Sequence, residues 1–529
     1  MRHLKLAPNW LRFLIIVVLV VGICFRFYNL GSKVYSHDET YTSLRISGYT
    51  SAEVKQQIFN GRVITREAFA KFQSPNLEKG LGDTIKSLAV EDPQHPPLYY
   101  VIARFWVQIF GNSVTAIRSL SALISLLVFP CVYWLCRELF NVPLSLPMLA
   151  IVFMAISPIH LIYAQEAREY MLWVVTILLS SASLLRAMRL EFKRQPKSDR
   201  ILTWGIYTAA LALSLYTCLL SGFVAVAHGI YVLAMKRFSW TKTVKAYFLS
   251  SIAAFVSFTP WIIVIIVNFS QFQDATATTM TNLSFFALIQ SWFMQISRIF
   301  FDLNFGFENP FSYLITPFFL ILVGYAIYFI YRTTHPQVSL FIITLIAVPA
   351  LPLMLPDLIF GGQRSVAERY LMPSYLGIQI AVAYLLATQI YNGSSSPRRR
   401  IWQTIMALVI IGGVVSGAVS SQAEIWWNKV VSQGNPQVAK IINQASRPLL
   451  MSDSLGINYG NVFSLSYLVE PKVRFQLFKN SNIPKIPQDT NVFLLNPVAK
   501  IRKGIEKKYK FKEKMVYKDN DESLFKLVK

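Results

Sequence analysis

Apolar residues in this chain come in blocks near the ~20-residue length that crosses a bilayer. The first runs from about Leu11 to Leu30. Others follow at about Ala116–Cys136, Leu144–Ile162, Tyr170–Ala187, Val244–Phe269, Tyr313–Tyr331, Ser339–Leu355, Tyr370–Tyr391 and Trp402–Ser421. Ile201 to Met235 is one long apolar run holding Ser221-Gly222, enough for a tight helical hairpin. Pro260 predicts a kink within its block. Two segments are ambiguous: Leu98–Phe110 is short and holds Arg104, and Leu283–Phe305 is amphipathic through Gln290, Gln295 and Arg298. The pattern predicts a polytopic α-helical membrane protein with about eleven crossings, or about thirteen if both ambiguous segments span.

Charge sets the orientation. Arg2, Lys5 and Arg12 precede the first block and put the N-terminus in the cytoplasm. With Leu98–Phe110 re-entrant or interfacial, the basic loop of Arg189, Lys193, Arg194, Lys197 and Arg200 is cytoplasmic too. So are Lys236-Arg237, Arg332 and Arg398-Arg399-Arg400, with Ser394-Ser395-Ser396-Pro397 a cytoplasmic linker. A full crossing at 98–110 inverts the 189–200 loop unless 283–305 crosses as well. We therefore place both segments at the outer surface, which leaves the C-terminus outside. No small-residue cleavage site follows the first block, so it reads as a retained anchor.

Two stretches break the apolar pattern. From 31 to about 114 the chain is polar and irregular, and roughly eighty residues are too many for a simple connector. Its amphipathic pieces, Ala52–Phe59 and Thr65–Phe72, predict juxtamembrane helices on the outer surface. From Gln422 onward no block reaches spanning length. Short β-type runs at Val462–Leu468, Val473–Phe478 and Asn491–Leu495 predict a small α/β domain. The expected division is a membrane domain over 1–421 and a C-terminal extracytoplasmic domain over 422–529.

Composition agrees with this reading. Of 529 residues, 54% are hydrophobic and 15% charged, whereas soluble domains are about a quarter charged. The net charge of +24 follows from cytoplasmic loops and a Lys-rich C-terminus, so nucleic acid is not an expected partner. Cys24, Cys131, Cys136 and Cys218 lie in apolar segments without metal-type spacing, which argues against a disulfide framework or a zinc site.

With this topology the unusual polar residues gather on the outer face: His37, Asp38 and Glu39; Glu91, Asp92 and His95; Gln165, Glu166, Arg168 and Glu169; Arg364, Glu368 and Arg369. Asp38 or Glu39 suits a general base, since a partly desolvated carboxylate gains basicity; the plain alternative is a helix N-cap at Asp38. In Glu91-Asp92-Pro93-Gln94-His95-Pro96-Pro97-Leu98-Tyr99-Tyr100 the paired prolines hold Asp92 and His95 at a helix entrance, where His95 can donate to a phosphate. Arg168 can grip a phosphate or pyrophosphate oxygen with its planar fork, paired with Glu166, or the two form a structural ion pair. Arg364 and Arg369 run against the positive-inside bias, which favours anion binding; Arg118 is a weaker candidate of the same kind. His37, Tyr99 and Tyr170 complete the candidates for substrate binding. An anion site beside a carboxylate at the membrane edge suits a sugar on a lipid phosphate. Such a donor reacts by single displacement with inversion, and positioning and charge stabilisation supply most of the catalysis.

His37-Asp38-Glu39 after the first block, His95-Pro96-Pro97-Leu98-Tyr99-Tyr100, Ser157-Pro158 through Ala167-Arg168-Glu169-Tyr170, and Glu368-Arg369-Tyr370-Leu371 resemble the membrane glycosyltransferases of the C-type (GT-C) fold. The nearest branch is similar to the dolichyl-phosphate-mannose–protein mannosyltransferase and lipid A aminoarabinose transferase group, with the RgtA/B/C/D-like enzymes. The resemblance covers roughly 1–421. It implies an extracytoplasmic active site in a bacterial plasma membrane, a polyprenyl-phosphate sugar donor, and a lipid, glycan or protein acceptor. It also implies an aspartate base in the first loop, carried here by Asp38 with Glu39 its neighbour. The proline-rich entrance maps to His95, Pro96 and Pro97, and phosphate contacts map to Arg168 and Arg369. The family's acidic residue stands two positions before the histidine, whereas Asp92 stands three before His95. Some C-type enzymes use a divalent cation, but no clear ligand set is evident in this sequence, and no cofactor is required by the reading.

Other classes fit less well. A transporter or flippase of lipid-linked sugar predicts internal repeats around a midplane site, and no repeat is visible. An O-antigen-ligase-like enzyme leans on a late external loop, not an acidic first one. A non-catalytic scaffold gives no reason for carboxylates and arginines to gather.

Overall fold

The computed structural model describes residues 9–140, 145–193, 195–392, 396–479, 483–487 and 490–528, with the side chains of 9–12, 391, 392 and 396 excepted. Arg2, Lys5, Leu144, Arg194 and Ser394-Ser395, and the side chains of Arg12 and Ser396, lie outside the described residues. The chain divides into two compact units: Met1–Tyr28, Asp92–Tyr99 and Ser121–Ser421; and Asn29–Glu91, Tyr100–Leu120 and Gln422–Lys529. The second unit begins its last segment where the sequence changes character, at Gln422, and also takes in most of the first long loop.

Among the described residues, seven helices are long and apolar enough to cross a membrane: Val114–Leu139, Tyr170–Phe192, Lys242–Val267, Ser312–Thr333, Pro336–Ile359, Glu368–Ile390 and Pro397–Ser432. Ser145–Ile156 and Pro158–Ala164, bent by 58°, add an eighth if the pair is one span. Only 28% of the apolar window of Lys242–Val267 is buried, and it turns Leu249, Ile252, Val256, Ile263 and Ile266 outward. Such a stripe needs lipid, so this is an integral membrane protein. Glu368–Ile390 is 94% buried and Tyr170–Phe192 78%, and these two pack at the centre of their unit.

Fewer helices meet the length and charge test than the predicted number of crossings, for identifiable reasons. Leu98–Phe110 has 13 residues and Phe285–Arg298 has 14, roughly 20 Å each, short of a ~30 Å hydrocarbon core. The predicted hairpin forms as Lys197–Thr217 and Ser221–Met235; the first opens on Lys197, Asp199 and Arg200, and the second has only 15 residues. Pro260 sits inside Lys242–Val267 without ending it.

The bend at Ser157-Pro158 leaves a backbone group to be satisfied. Pro158 has no N–H, so the Met154 carbonyl loses its helical donor. Arg26 fills the gap from the first helix, Asn9–Phe27. Its Nη2 donates to Met154 O at 2.9 Å, Nη1 to Ala155 O and to Gly22 O, and Nε to Ser125 Oγ at 3.0 Å. In return, Gln165 Nε2 donates to the last carbonyls of the first helix, Phe25 O at 2.7 Å and Tyr28 O at 2.9 Å. These reciprocal caps fix the segment from Pro158 to Tyr170.

The second unit is built on a six-stranded sheet: β1 (Asn60–Thr65), β2 (Pro448–Asp453), β3 (Arg474–Phe478), β4 (Asn491–Leu495), β5 (Lys512–Lys518) and β6 (Ser523–Val528), in the order β1-β3-β2-β4-β6-β5. β2 pairs in parallel with β3 and β4; the remaining pairings are antiparallel. The predicted strands at 473–478 and 491–495 form. The predicted run Val462–Leu468 does not: its residues lie in and just after a helix, Asn458–Ser466, all of whose residues are buried. It crosses from β2 to its parallel neighbour β3, a connection that needs a helix, and full burial hides helical periodicity.

β1 comes from the first long loop, and so does much of the core. The helices Ser51–Ile58 and Glu67–Gln73 bury Val54, Ile58, Phe69 and Phe72 in one cluster with Val462, Phe463, Phe475 and Leu477. The Phe69 ring stands edge-on to Phe463 and Phe475, at 5.0 and 4.9 Å. The amphipathic faces expected to lie on lipid are covered by protein instead. Arg104, buried in Leu98–Phe110, donates to Ile46 O (2.7 Å), Thr84 Oγ1 (3.0 Å) and Lys79 O, which ties that helix to the loop.

Candidate active site

Ser36 opens the helix His37–Ser47, and its Oγ accepts from Glu39 N while Glu39 Oε2 accepts from Ser36 N at 3.0 Å. This capping box makes Ser36 the N-cap, not Asp38, and sets both carboxylates in the first turn, where the helix dipole favours negative charge. Their surroundings differ sharply. Asp38 is half-buried. Glu39 is fully buried: Arg118 donates to its Oε1 (2.7 Å) and Oε2 (2.8 Å), and Lys429 Nζ to its Oε2 (3.0 Å). Arg118 also donates to Leu30 O, Lys33 O and Val34 O at 2.7–3.0 Å. Its five N–H groups therefore all have acceptors inside this unit, which is a different task from the anion binding expected of it. His37 N donates to Ser432 Oγ at 2.8 Å. The His37 ring lies 5.1 Å from Tyr41 and presses on Gly460, where its Nδ1 leaves no room for a Cβ.

The other unit gathers a second cluster around Tyr170. His95 Nδ1 donates to Glu169 Oε1 at 3.0 Å, and Arg168 Nη2 donates to His95 Nε2 at 3.2 Å. Those partners place the ring proton on Nδ1. Arg168 Nε lies 3.4 Å from Glu169 Oε2. The guanidinium carbons of Arg168 and Arg369 each lie 5.8 Å from the centre of the Tyr170 ring, and Arg369 also lies 5.5 Å from that of Tyr370. Burial pushes the Glu169 carboxyl up, but Arg168 and the His95 hydrogen bond outweigh it and hold the pKa down at about 2.

The entrance to Leu98–Phe110 is held from several sides. Gln94 Nε2 donates to Asp92 Oδ1 (3.1 Å), His95 N to Asp92 O (2.9 Å), and Trp261 Nε1 to Pro93 O (3.1 Å). The buried Tyr99 shares a hydrogen bond with Ser121 Oγ (2.8 Å), which donates to Arg168 O (3.2 Å). Tyr99 thus reaches the arginine segment through its backbone. Glu166 is buried, and its carbonyl accepts from Arg168 N at 2.8 Å.

Arg364 stands in a closed turn. It donates to Asp357 Oδ1 (2.8 Å) and Gly361 O (3.0 Å), while Asp357 Oδ2 accepts from Ser365 N and Oγ. Glu368 takes Arg298 Nη1 at 2.7 Å. Among the described residues no group of three or more His, Cys, Asp or Glu side chains is arranged to hold a metal ion.

Lys429, Ser432 and the pairing of Glu169 with His95 were not anticipated. The first two stand in the short 3-10 segment Trp427–Ser432, after the helix Ser396–Gln422, and that segment has no motif character. Glu169 was visible as one of two carboxylates flanking Ala167 and Arg168, but periodicity does not say which one turns toward His95.

Residues 94–264 match the sequence profile of the dolichyl-phosphate-mannose-protein mannosyltransferase family. No curated protein sequence matches the chain significantly. The fold is similar to that of ArnT from Cupriavidus metallidurans bound to undecaprenyl phosphate: TM-score 0.53 over 98% of each chain, at 14% identity. It is also similar to the Archaeoglobus fulgidus oligosaccharyltransferase tethered to an acceptor peptide, with TM-score 0.51 at 13% identity, covering 88% of this chain and 64% of that one. At such identities the likeness is one of fold. The profile match takes in His95, Arg168, Glu169 and Tyr170; in that region and in its fold the chain is similar to the GT-C membrane glycosyltransferases, a class that draws on lipid-phosphate-linked sugars.

Proposed function

We propose that the enzyme transfers a sugar from a polyprenyl phosphate to a lipid, glycan or protein acceptor at the extracytoplasmic face of a bacterial plasma membrane. The observation that carries this reading is the Tyr170 cluster, where two guanidiniums flank one ring beside His95. Paired arginines suit a phosphate that gains charge as it leaves. Arg168 and Arg369 take the donor phosphate, Glu169 holds Arg168 and His95 in register, and Tyr99 fixes the arginine segment through Ser121. Glu166, Arg364 and Asp92 shape the donor side, and His37 stands beside the base in the first turn of its helix. Asp38 is the base: it takes the proton of the acceptor hydroxyl as that oxygen bonds the anomeric carbon. The bond from that carbon to the phosphate oxygen breaks, its electron pair leaves with the polyprenyl phosphate, and the configuration inverts. Glu39, with both carboxylate oxygens engaged by cations, is a positioning residue.

The test is turnover in nanodiscs with a panel of polyprenyl-phosphate sugars. Asp38→Asn should lower kcat by about a hundredfold or more with little change in donor KM. Arg168→Met and Arg369→Met should raise donor KM and lower kcat. Parent-like turnover by Asp38→Asn would overturn the base assignment. A tag at Lys529 that maps to the cytoplasm would overturn the orientation.

A further inference from the structure

The short segment Trp427–Ser432, which follows the helix Ser396–Gln422, reaches back to the first turn of the Asp38 helix at two points. Lys429 Nζ donates to Glu39 Oε2 at 3.0 Å, with both side chains wholly buried. Ser432 Oγ accepts from His37 N at 2.8 Å and faces Asn461 Oδ1 at 3.3 Å. Asn461 in turn donates to Val431 O (3.0 Å) and Glu522 Oε1 (2.6 Å). Between the two contacts stands Val430 at φ 37°, ψ −115°. A β-branched residue resists that conformation, and it persists only where the surroundings enforce it.

The charge balance gives these contacts meaning. Arg118 already neutralises Glu39 through a two-point pair. A second cation buried against the same carboxylate is unfavourable unless its surroundings hold it firmly. Asp38 is the next residue in that first turn, so the contacts that fix Glu39 and the backbone of His37 also fix its place. The other titratable rings about this turn are Tyr35, 5.5 Å from Arg118 and 4.8 Å from Tyr467, and His37, 5.1 Å from Tyr41.

We infer that Lys429 and Ser432 are positioning residues for catalysis, which fix the first turn of the His37–Ser47 helix through Glu39 and His37 N and so hold Asp38 in place. The inference rests on Asp38 being the base. It assigns to the C-terminal segment a part in the reaction, exerted through two residues that touch no substrate.

The test uses the full chain in nanodiscs with a productive donor–acceptor pair. Lys429→Met should lower kcat about tenfold or more, leave donor KM within about twofold, and move the acid limb of the kcat profile to higher pH. Lys429→Arg should recover part of kcat and restore the limb. Ser432→Ala should lower kcat by a smaller factor without moving the limb. If Lys429→Met does not fold, Lys429→Arg and Ser432→Ala decide the matter: parent-like kcat in both overturns the inference. An inactive Asp38→Asn beside Lys429 and Ser432 variants with parent kcat and pH profile overturns the positioning role and leaves the base in place. A fully active Asp38→Asn overturns both. Loss of kcat and KM together in Lys429→Met, with no shift of the limb and no recovery in Lys429→Arg, marks a structural role only and also overturns the inference.

Discussion

Glu169 Oε1 lies 3.0 Å from His95 Nδ1, and the Arg168 guanidinium stands against the same carboxylate. The folded pKa, about 2, is below the ordinary 4.5. A depressed carboxyl contributes stability in full above its unfolded pKa and loses it as pH falls through the folded value. Thermal unfolding in detergent should therefore show a destabilisation that grows from about pH 4.5 toward pH 2. Glu169→Gln should flatten that part of the curve. Glu169→Ala leaves a buried guanidinium without its counter-charge and should cost about 3–5 kcal/mol.

Glu522 behaves in the opposite sense. Burial, reinforced by Asp519 and Asp521, pushes its carboxyl up from 4.5 to about 8. A raised folded pKa gives stability that is whole below the unfolded value and is lost as pH rises through the folded one. The melting temperature of the full chain should therefore fall between about pH 5 and pH 8. Glu522→Gln keeps the amide within reach of Asn461 and cannot ionise. It should match the parent near pH 5 and exceed it above pH 8; a parent-like slope in the variant would refute the assignment.

The sequence and the structure part company at particular residues, each for a physical reason. Apolar blocks of spanning length are legible because lipid demands them along one continuous stretch. The break at Ser157-Pro158 is not read from the pattern, because the block Leu144–Ile162 stays apolar through it. The amphipathic pattern of 52–59 and 65–72 says that a face is covered but not by what, and here Phe463 and Phe475 cover it. Val462–Leu468 reads as a strand because burial on every side removes the period that marks a helix. The Asp38 motif is legible, while the cation that completes it is not: Lys429 stands 390 positions from Glu39, and no local rule connects them.

The Glu39–Arg118 pair offers a direct measure of how firmly that turn is held. Both side chains are fully buried. Glu39→Ala removes the counter-charge shared by two buried cations, and Arg118→Ala takes the two-point partner from the carboxylate and the donors from three backbone carbonyls. Each should cost about 3–5 kcal/mol. In a double-mutant cycle the combined variant should lose less than the sum, with a coupling of about 1–3 kcal/mol. Additive losses would mean that the pair does not act as a unit.

Gly22 is the point where the first helix meets the broken span. A Cβ there would stand 2.5 Å from Ala155 O and 2.8 Å from Ala155 C, both backbone atoms that cannot swing aside. Gly22→Ala should therefore force the helices apart and cost about 1–3 kcal/mol, and it should also pull Arg26 from the carbonyls of Met154 and Ala155. Arg26→Met removes the donors without adding bulk, and the orphaned carbonyl of Met154 should cost about 1–3 kcal/mol. The control is Gly205→Ala, in a helix where an added Cβ meets nothing within 4 Å. Relieved of the entropy that glycine loses in a helix, that variant should be neutral or more stable by up to about 1 kcal/mol. The comparison is read from half-lives of activity on heating in detergent. Equal half-lives for Gly22→Ala and Gly205→Ala would mean that the contact at Ala155 yields easily.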